Sequence, residues 1–223
     1  MRRVVVVCEG QTEEAFISRV MVPAFVAAGL YLQGITIETS PNHKGGALSY
    51  ARLRPALRNA LASGRVVAVT TLIDLYRLAP DFPSHGTAMA QPSVSAKLQT
   101  LETAVHADVV QLCGCDPARF IPHIQPHEFE ALLFSDVGAL AAVEAGWAAA
   151  AGALCQVRDG AATPEDINDG YETKPSARLE ELLHSPSYRK LRHGPIAAER
   201  IGLSRMEDEC PHFAAWIAKL RAL

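Results

Sequence analysis

The chain has 223 residues, 49% of them hydrophobic, enough for one large domain with a proper core or one domain with a sizeable appendage, and this excludes a disordered polypeptide. A formal net charge of −3 excludes a broadly cationic nucleic-acid coat, although it is compatible with a local basic stripe. No apolar run approaches the ~20 residues that a membrane helix requires, and five scattered cysteines without a secretory signal suggest a soluble protein of the reducing cytoplasm.

Val4, Val5, Val6 and Val7 run into Cys8, and four consecutive β-branched residues predict a strand buried on both faces, the pattern of a central strand in a parallel sheet. Glu9 follows at the carboxyl end of that strand. Gly10 allows a sharp turn, and Thr12 is the expected N-cap of a helix with Glu13 and Glu14 in its first turn. In open α/β sheets this edge is where ligands bind. One glycine among three acids repels anions unless a cation intervenes, so the turn is no phosphate-cradling loop. The plain alternative is an ordinary strand-to-helix turn with an exposed glutamate.

Phe16, Ile17, Val20, Met21 and Phe25 continue the helix with an inward stripe, Gly29 ends it, and residues 31–38 are expected to form a second strand. His43, Lys44, Gly45 and Gly46 make a turn that is either structural or a flexible phosphate contact through Lys44. An amphipathic helix over 47–62 precedes a second apolar, β-branched run over 66–73, which ends on Asp74. Two buried parallel strands that each deliver an acid at the carboxyl end bring two carboxylates within reach of one magnesium ion. Tyr76 lies two residues on, pointing the same way, and ligates magnesium poorly, so either another acid completes the site or the site serves as a scaffold. The proline-rich segment 75–92 is a candidate lid or substrate gate.

A helix over 93–106 and a short strand over 109–113 come next, followed by an extended run over 120–126 and a helix starting at His127. Glu128, with Glu130 as second choice, is the acid that compensates for Tyr76, and its plain alternative is a favourable interaction with the helix dipole. His123 and His127 are four apart, but Pro126 breaks any common helix and argues against a zinc pair. Cys113 and Cys115, one glycine apart, read as buried thiols rather than metal ligands. Residues 137–154 are alanine-rich helical packing. Asn168, Asp169 and Gly170 signal a turn, and Pro175 opens a helix from whose start Lys174 and Arg178 can reach a substrate phosphate. Residues 187–205 hold the only basic concentration, with Lys190, Arg192 and His193 among its members. It is either a solvated face or, through Arg192 and His193, a phosphate-backbone contact. The final helix, with Phe213, Trp216, Ile217 and Leu220, is expected to dock on the core or to pair with a second subunit in a homodimer.

Strand, Glu9, Gly10 and helix from Val4 to Phe16 resemble the opening of the Toprim fold of topoisomerases, primases, small ribonuclease-maturation enzymes and overcoming-lysogenization-defect nucleases, where that glutamate works beside magnesium. Further stretches extend the likeness: CEGQTEEAF, the HKGG turn, Asp74 to Tyr76 with the later DFP, IPHIQPHEFEALLFSD, INDGYETKPSARL, HGPIAAERIGL and CPHFAAW. Taken end to end, the chain resembles the bacterial family catalogued as domain of unknown function 4276, regarded as Toprim-like. The resemblance implies an α/β fold, a Toprim-like, mostly parallel sheet flanked by helices over 1–136, with a helical C-terminal elaboration over 137–223 packed on it. It implies an acidic centre of Glu9, Asp74, Glu128 and Glu130 holding Mg2+ or Mn2+. Arg77 stands where that family usually has glycine, and Tyr171 where it commonly has proline. Related Toprim proteins act with ATPase partners in defence against phage, so such a partner is also an expectation.

The expected function is magnesium-dependent hydrolysis of phosphodiesters in DNA or RNA. Glu9 would be a ligand or the general base, Asp74 a ligand, and Glu128 a third ligand or the organiser of a second metal. Lys44, Lys174 or Arg178 would neutralise phosphoryl charge. Two other readings stand beside it: a non-catalytic nucleic-acid-binding or assembly module, to which Tyr76 points, and a phosphatase for small phosphorylated molecules.

Overall fold

A computed structural model of the chain describes residues 1–37, 47–76, 78–167, 170 and 172–223. The valine run lies in β1 (Arg2–Cys8) and is buried on both faces because alternate side chains enter two different cores: Val4, Val6 and Cys8 one, Val5 and Val7 the other. Parallel neighbours flank β1 on both sides, β2 (Leu30–Thr36) and β3 (Val66–Asp74). Along its length β3 then pairs in succession with two short parallel strands, β4 (Phe120–Ile121) at Val69 and Thr70 and β5 (Ile124–Gln125) at Ile73 and Asp74. The order β2-β1-β3-β4 means that the chain leaves β1 to one side and returns on the other. That reversal opens a crevice between the carboxyl ends of β1 and β3, the position where doubly wound sheets hold ligands.

The first core is closed by a rod made of α1 (Gln11–Phe16), a π-helical turn (Ile17–Met21) and α2 (Val22–Val26). Pro23 has no N–H to give to the carbonyl one turn earlier, and the widened turn is how the rod absorbs that loss. Gly29 ends the rod in the left-handed conformation at φ 76°. The helix starts two residues before the expected point, with Gly10 as N-cap, and the Thr12 side chain is buried rather than capping.

The second core lies under α3 (Tyr50–Leu61) and α5 (Val94–Cys113). The expected strand over 109–113 does not exist. Val109 continues the inward stripe of Leu98, Leu101 and Val105, and helical spacing outweighs the β-branched composition until Gly114 stops the helix at φ 56°. Between them the proline-rich segment carries α4 (His85–Met89) and is anchored rather than loose. Phe82 is buried, and the Asp81 carboxylate accepts the Tyr50 and Ala51 amides at the start of α3, at 2.9 and 3.0 Å.

After β5 a fully buried 3-10 helix (Phe129–Ser135) leads into α6 (Val137–Ala141), α7 (Ala151–Asp159), α8 (Pro175–Leu182), α9 (Lys190–Ile201), α10 (Leu203–Glu209) and α11 (Pro211–Arg221). Their apolar side chains merge with the β1 face into one cluster, in which Phe213, Trp216, Ile217 and Leu220 of α11 are buried against the chain's own core. α9 comes close to α1 at Gly194, where an added Cβ would stand 3.1 Å from the Thr12 methyl and 3.4 Å from the Tyr188 hydroxyl. None of the described helices is long and apolar enough to cross a membrane.

Candidate functional site

Glu9 leaves β1 and Asp74 ends β3, so the parallel register delivers both to the crevice at the strand-order reversal. Two further acids arrive from neighbouring elements, Glu13 from the first turn of α1 and Glu130 from the buried 3-10 helix. At their centre is the first residue of α9. The Lys190 ammonium lies 3.2 Å from Glu130 Oε2, 3.5 Å from Glu13 Oε1 and 3.8 Å from Asp74 Oδ2. The close crossing at Gly194 is what brings the start of α9 this deep. Gly10 matters here for space and not for conformation. Its backbone is extended, but a Cβ would stand 3.0 Å from Glu13 Oε2 and push that carboxylate out of the crevice.

A single ammonium cannot neutralise this many carboxylates in a poorly solvated crevice, so Glu9, Asp74 and Glu130 are held back from ionising. Burial and the Glu13 charge raise the Glu9 carboxyl to about 7, with Lys190 and a main-chain hydrogen bond at Asp74 pulling the other way. Burial drives Asp74 well above the ordinary carboxylate range and also raises Glu130, again against Lys190. For Lys190 burial acts downward, but Glu130, Asp74 and Glu13 together hold the ammonium well above its usual value. Asp74 is also a structural tie, since its Oδ1 accepts the Phe129 amide at 2.8 Å and fixes the start of the 3-10 helix to the strand end. Tyr188 donates to Glu130 Oε1 at 3.4 Å. Two carboxylate oxygens in the crevice, Glu9 Oε2 and Glu130 Oε2, are buried without accepting any hydrogen bond, although the ammonium is near the second. Buried acceptors normally find donors, so Glu9 Oε2 marks unsatisfied demand for a cation.

Glu128 sits at the edge of this group in a different state. Its Oε1 accepts Lys174 Nζ at 2.7 Å and its Oε2 the Ser176 amide at 3.1 Å, so it closes the start of α8. Burial alone would raise its carboxyl, but those hydrogen bonds outweigh burial and hold it below the usual value. The Lys174 ammonium also lies over the Tyr76 ring, 4.7 Å from its centre. Tyr76 therefore works as a platform for the cation that holds Glu128.

Of the residues expected from the sequence, Glu9, Asp74 and Glu130 meet around Lys190, and Glu128 with Lys174 forms the adjoining wall. Arg178 pairs with Glu181 at 3.2 Å and Arg192 with Glu144 at 2.8 Å, and neither reaches the acids. His193 is buried edge-on to Trp147, accepts the Arg189 amide and faces Glu144, so it organises the packing of α9. Lys44 and Arg77 lie outside the described residues. Lys190 and Glu13 were read differently in the sequence, as one charge in a basic stretch and as a helix-dipole acid.

Among the described residues, the group that brings three metal-capable donor atoms within 4.8 Å of one another is Glu102, His123 and His212. This group could hold a metal ion.

A family model described as a domain of unknown function, DUF4276, matches residues 8–221. None of the curated proteins and none of the solved structures compared with the chain matches it.

Proposed function

We propose, for a chain that belongs to the DUF4276 family and takes no activity from that description, that the crevice hydrolyses phosphodiesters of DNA or RNA with the help of a divalent cation. What carries this reading is the buried, unpartnered Glu9 Oε2, beside Glu130 Oε2 whose near cation is the Lys190 ammonium, at the strand-order reversal of a parallel sheet. Carboxyls pushed upward by burial and by one another bind a divalent ion in place of the protons they would otherwise keep, and an all-oxygen set selects Mg2+ or Mn2+. Asp74 and Glu130 would hold the ion, which supplies Lewis acidity and lowers the pKa of water when bound.

Glu9, raised to about 7, is the base suited to neutral pH. It takes a proton from water as the water oxygen bonds to phosphorus, the ester P–O bond breaks, and the departing alkoxide takes a proton from solvent. Lys190 contributes charge to the phosphoryl oxygens rather than a proton, because its neighbours keep it protonated. A partner ATPase and a place in phage defence belong to this same proposal and rest on the Toprim-like resemblance.

One observation favours a second reading. With Lys190 already among the acids, and Lys174 held by Glu128 at their edge, the crevice is also a self-sufficient ionic clasp. A non-catalytic assembly module would need no more. A cleavage assay with Mg2+ and Mn2+ on single- and double-stranded DNA and RNA, run beside Glu9→Gln and Asp74→Asn, separates the two. Turnover by the wild type that both substitutions abolish supports the hydrolase. Turnover unchanged by both, or none with any substrate and metal, favours the clasp.

A further inference from the structure

We propose that Glu102, His123 and His212 form a second metal site, distinct from the crevice, that takes zinc or a similar borderline transition ion. The three residues come from elements far apart in the chain: mid-α5, the link between β4 and β5, and the first turn of α11. Glu102 Oε1 lies 2.9 Å from His212 Nε2 and 4.0 Å from His123 Nδ1. Zinc bonds of about 2.0 Å place the donors of a tetrahedral site about 3.3 Å apart, so closing on an ion asks His123 and Glu102 to approach by less than 1 Å.

The surroundings of His123 have the form expected around a metal-binding imidazole. Its backbone is pinned to β3, with the amide and the carbonyl both bonded to Thr71 Oγ1 at 2.8 Å. The ring lies flat on Trp216, 4.3 Å between centres and 7° between planes. Its Nε2 is 3.2 Å from Gln125 Oε1, so Nε2 carries the proton and donates it, and the lone pair of Nδ1 faces the Glu102 carboxylate. The Nδ1 lone pair and the Glu102 carboxylate oxygen stand 4.0 Å apart with the imidazole nine-tenths buried and more, and the proton of His212 Nε2, 2.9 Å from the same oxygen, is what a metal ion would replace. An amide oxygen behind the distal imidazole nitrogen is the outer-shell contact that fixes the tautomer of a ligating histidine.

Glu102 is held as well, accepting the Ile124 amide at 2.9 Å through the same oxygen. Two imidazoles and one carboxylate suit zinc, whereas magnesium wants oxygen alone. The Lys219 charge opposes a cation here, and Glu165, which accepts the His212 and Phe213 amides, offsets it. Three protein ligands leave one position free, and Glu102 borders an open cavity of about 450 Å³ beside Thr103, His106 and Lys219.

The full chain, stripped of metal, would be titrated with Zn2+ against a chromophoric chelator and, separately, with Co2+ followed by visible absorption. The expected result is one equivalent of Zn2+ per chain and a Co2+ spectrum of a four-coordinate site with nitrogen donors. Asp74→Asn should leave both unchanged. His212→Ala and Glu102→Gln should weaken Zn2+ binding by more than the roughly 10- to 100-fold expected of the outer-shell change Gln125→Leu. Circular dichroism identifies any variant that fails to fold, and the wild-type Co2+ spectrum then decides. No uptake by the wild type, a Co2+ spectrum with oxygen donors only, or uptake lost in Asp74→Asn but kept in His212→Ala, would overturn the proposal.

Discussion

Replacing Glu9 by glutamine removes one ionisable carboxyl from the crevice while keeping its shape. The native carboxyl titrates at about 7 against an ordinary 4.5, so between those pH values the folded protein holds a proton that the unfolded chain has released. Stability therefore falls as pH rises through that window and levels off above it. The displacement corresponds to about 3 kcal/mol of lost stability above pH 7 in the absence of divalent ions. Glu9→Gln should match the wild type near pH 5 and exceed it near pH 8 by up to about 3 kcal/mol. Urea unfolding with a chelator present at both pH values reads this directly. With a slope of about 2 kcal/mol/M, the midpoint at pH 8 should move upward by about 1 M or more. A midpoint at pH 8 equal to or below that of the wild type would refute the claim that burial and Glu13 penalise the Glu9 charge.

Lys190→Ala leaves the acids facing one another without their cation. Since 38% of the Lys190 side chain is exposed, the usual cost of breaking a buried pair is discounted to about 2 kcal/mol at pH 8, with a smaller loss at lower pH because Glu9, Asp74 and Glu130 take up protons more readily than ordinary carboxylates. A loss that does not change with pH would contradict this. Gly194→Val puts a side chain into the α9–α1 crossing and should cost about 1–3 kcal/mol in urea unfolding, whereas a neutral result would show that α9 can shift without consequence. Glu128→Gln gives up a carboxylate that is ionised and ion-paired in the folded state, so its loss of stability should be present near pH 7 and vanish as pH falls below the ordinary glutamate value. An equal loss at pH 3 and pH 7 would count against it.

The sheet was legible because β1 and β3 are runs of β-branched residues that lead into acids, and burial on both faces leaves few other arrangements. The same composition misled at Val109, where a β-branched residue serves helical packing in α5. Glu9 and Asp74 could be placed since strand ends fix their own residues. Lys190 could not, because a lysine in a basic stretch looks like any solvated charge until α9 is docked, and docking depends on the glycine four residues on and on Thr12. The pairing of Glu102 with His212 joins residues 110 apart, with no local signal in either stretch. In the sequence His123 stands four residues from His127, whereas its partners in space come from α5 and α11.

Binding of Mn2+ to the full chain, followed by the enhancement of water-proton relaxation at pH 8, tests the central claim most directly. One site that disappears in Asp74→Asn and in Glu130→Gln, and persists in His212→Ala, is the result expected if the crevice acids hold a divalent ion. No Mn2+ binding by the wild type, or binding that both crevice substitutions leave unchanged, would contradict it.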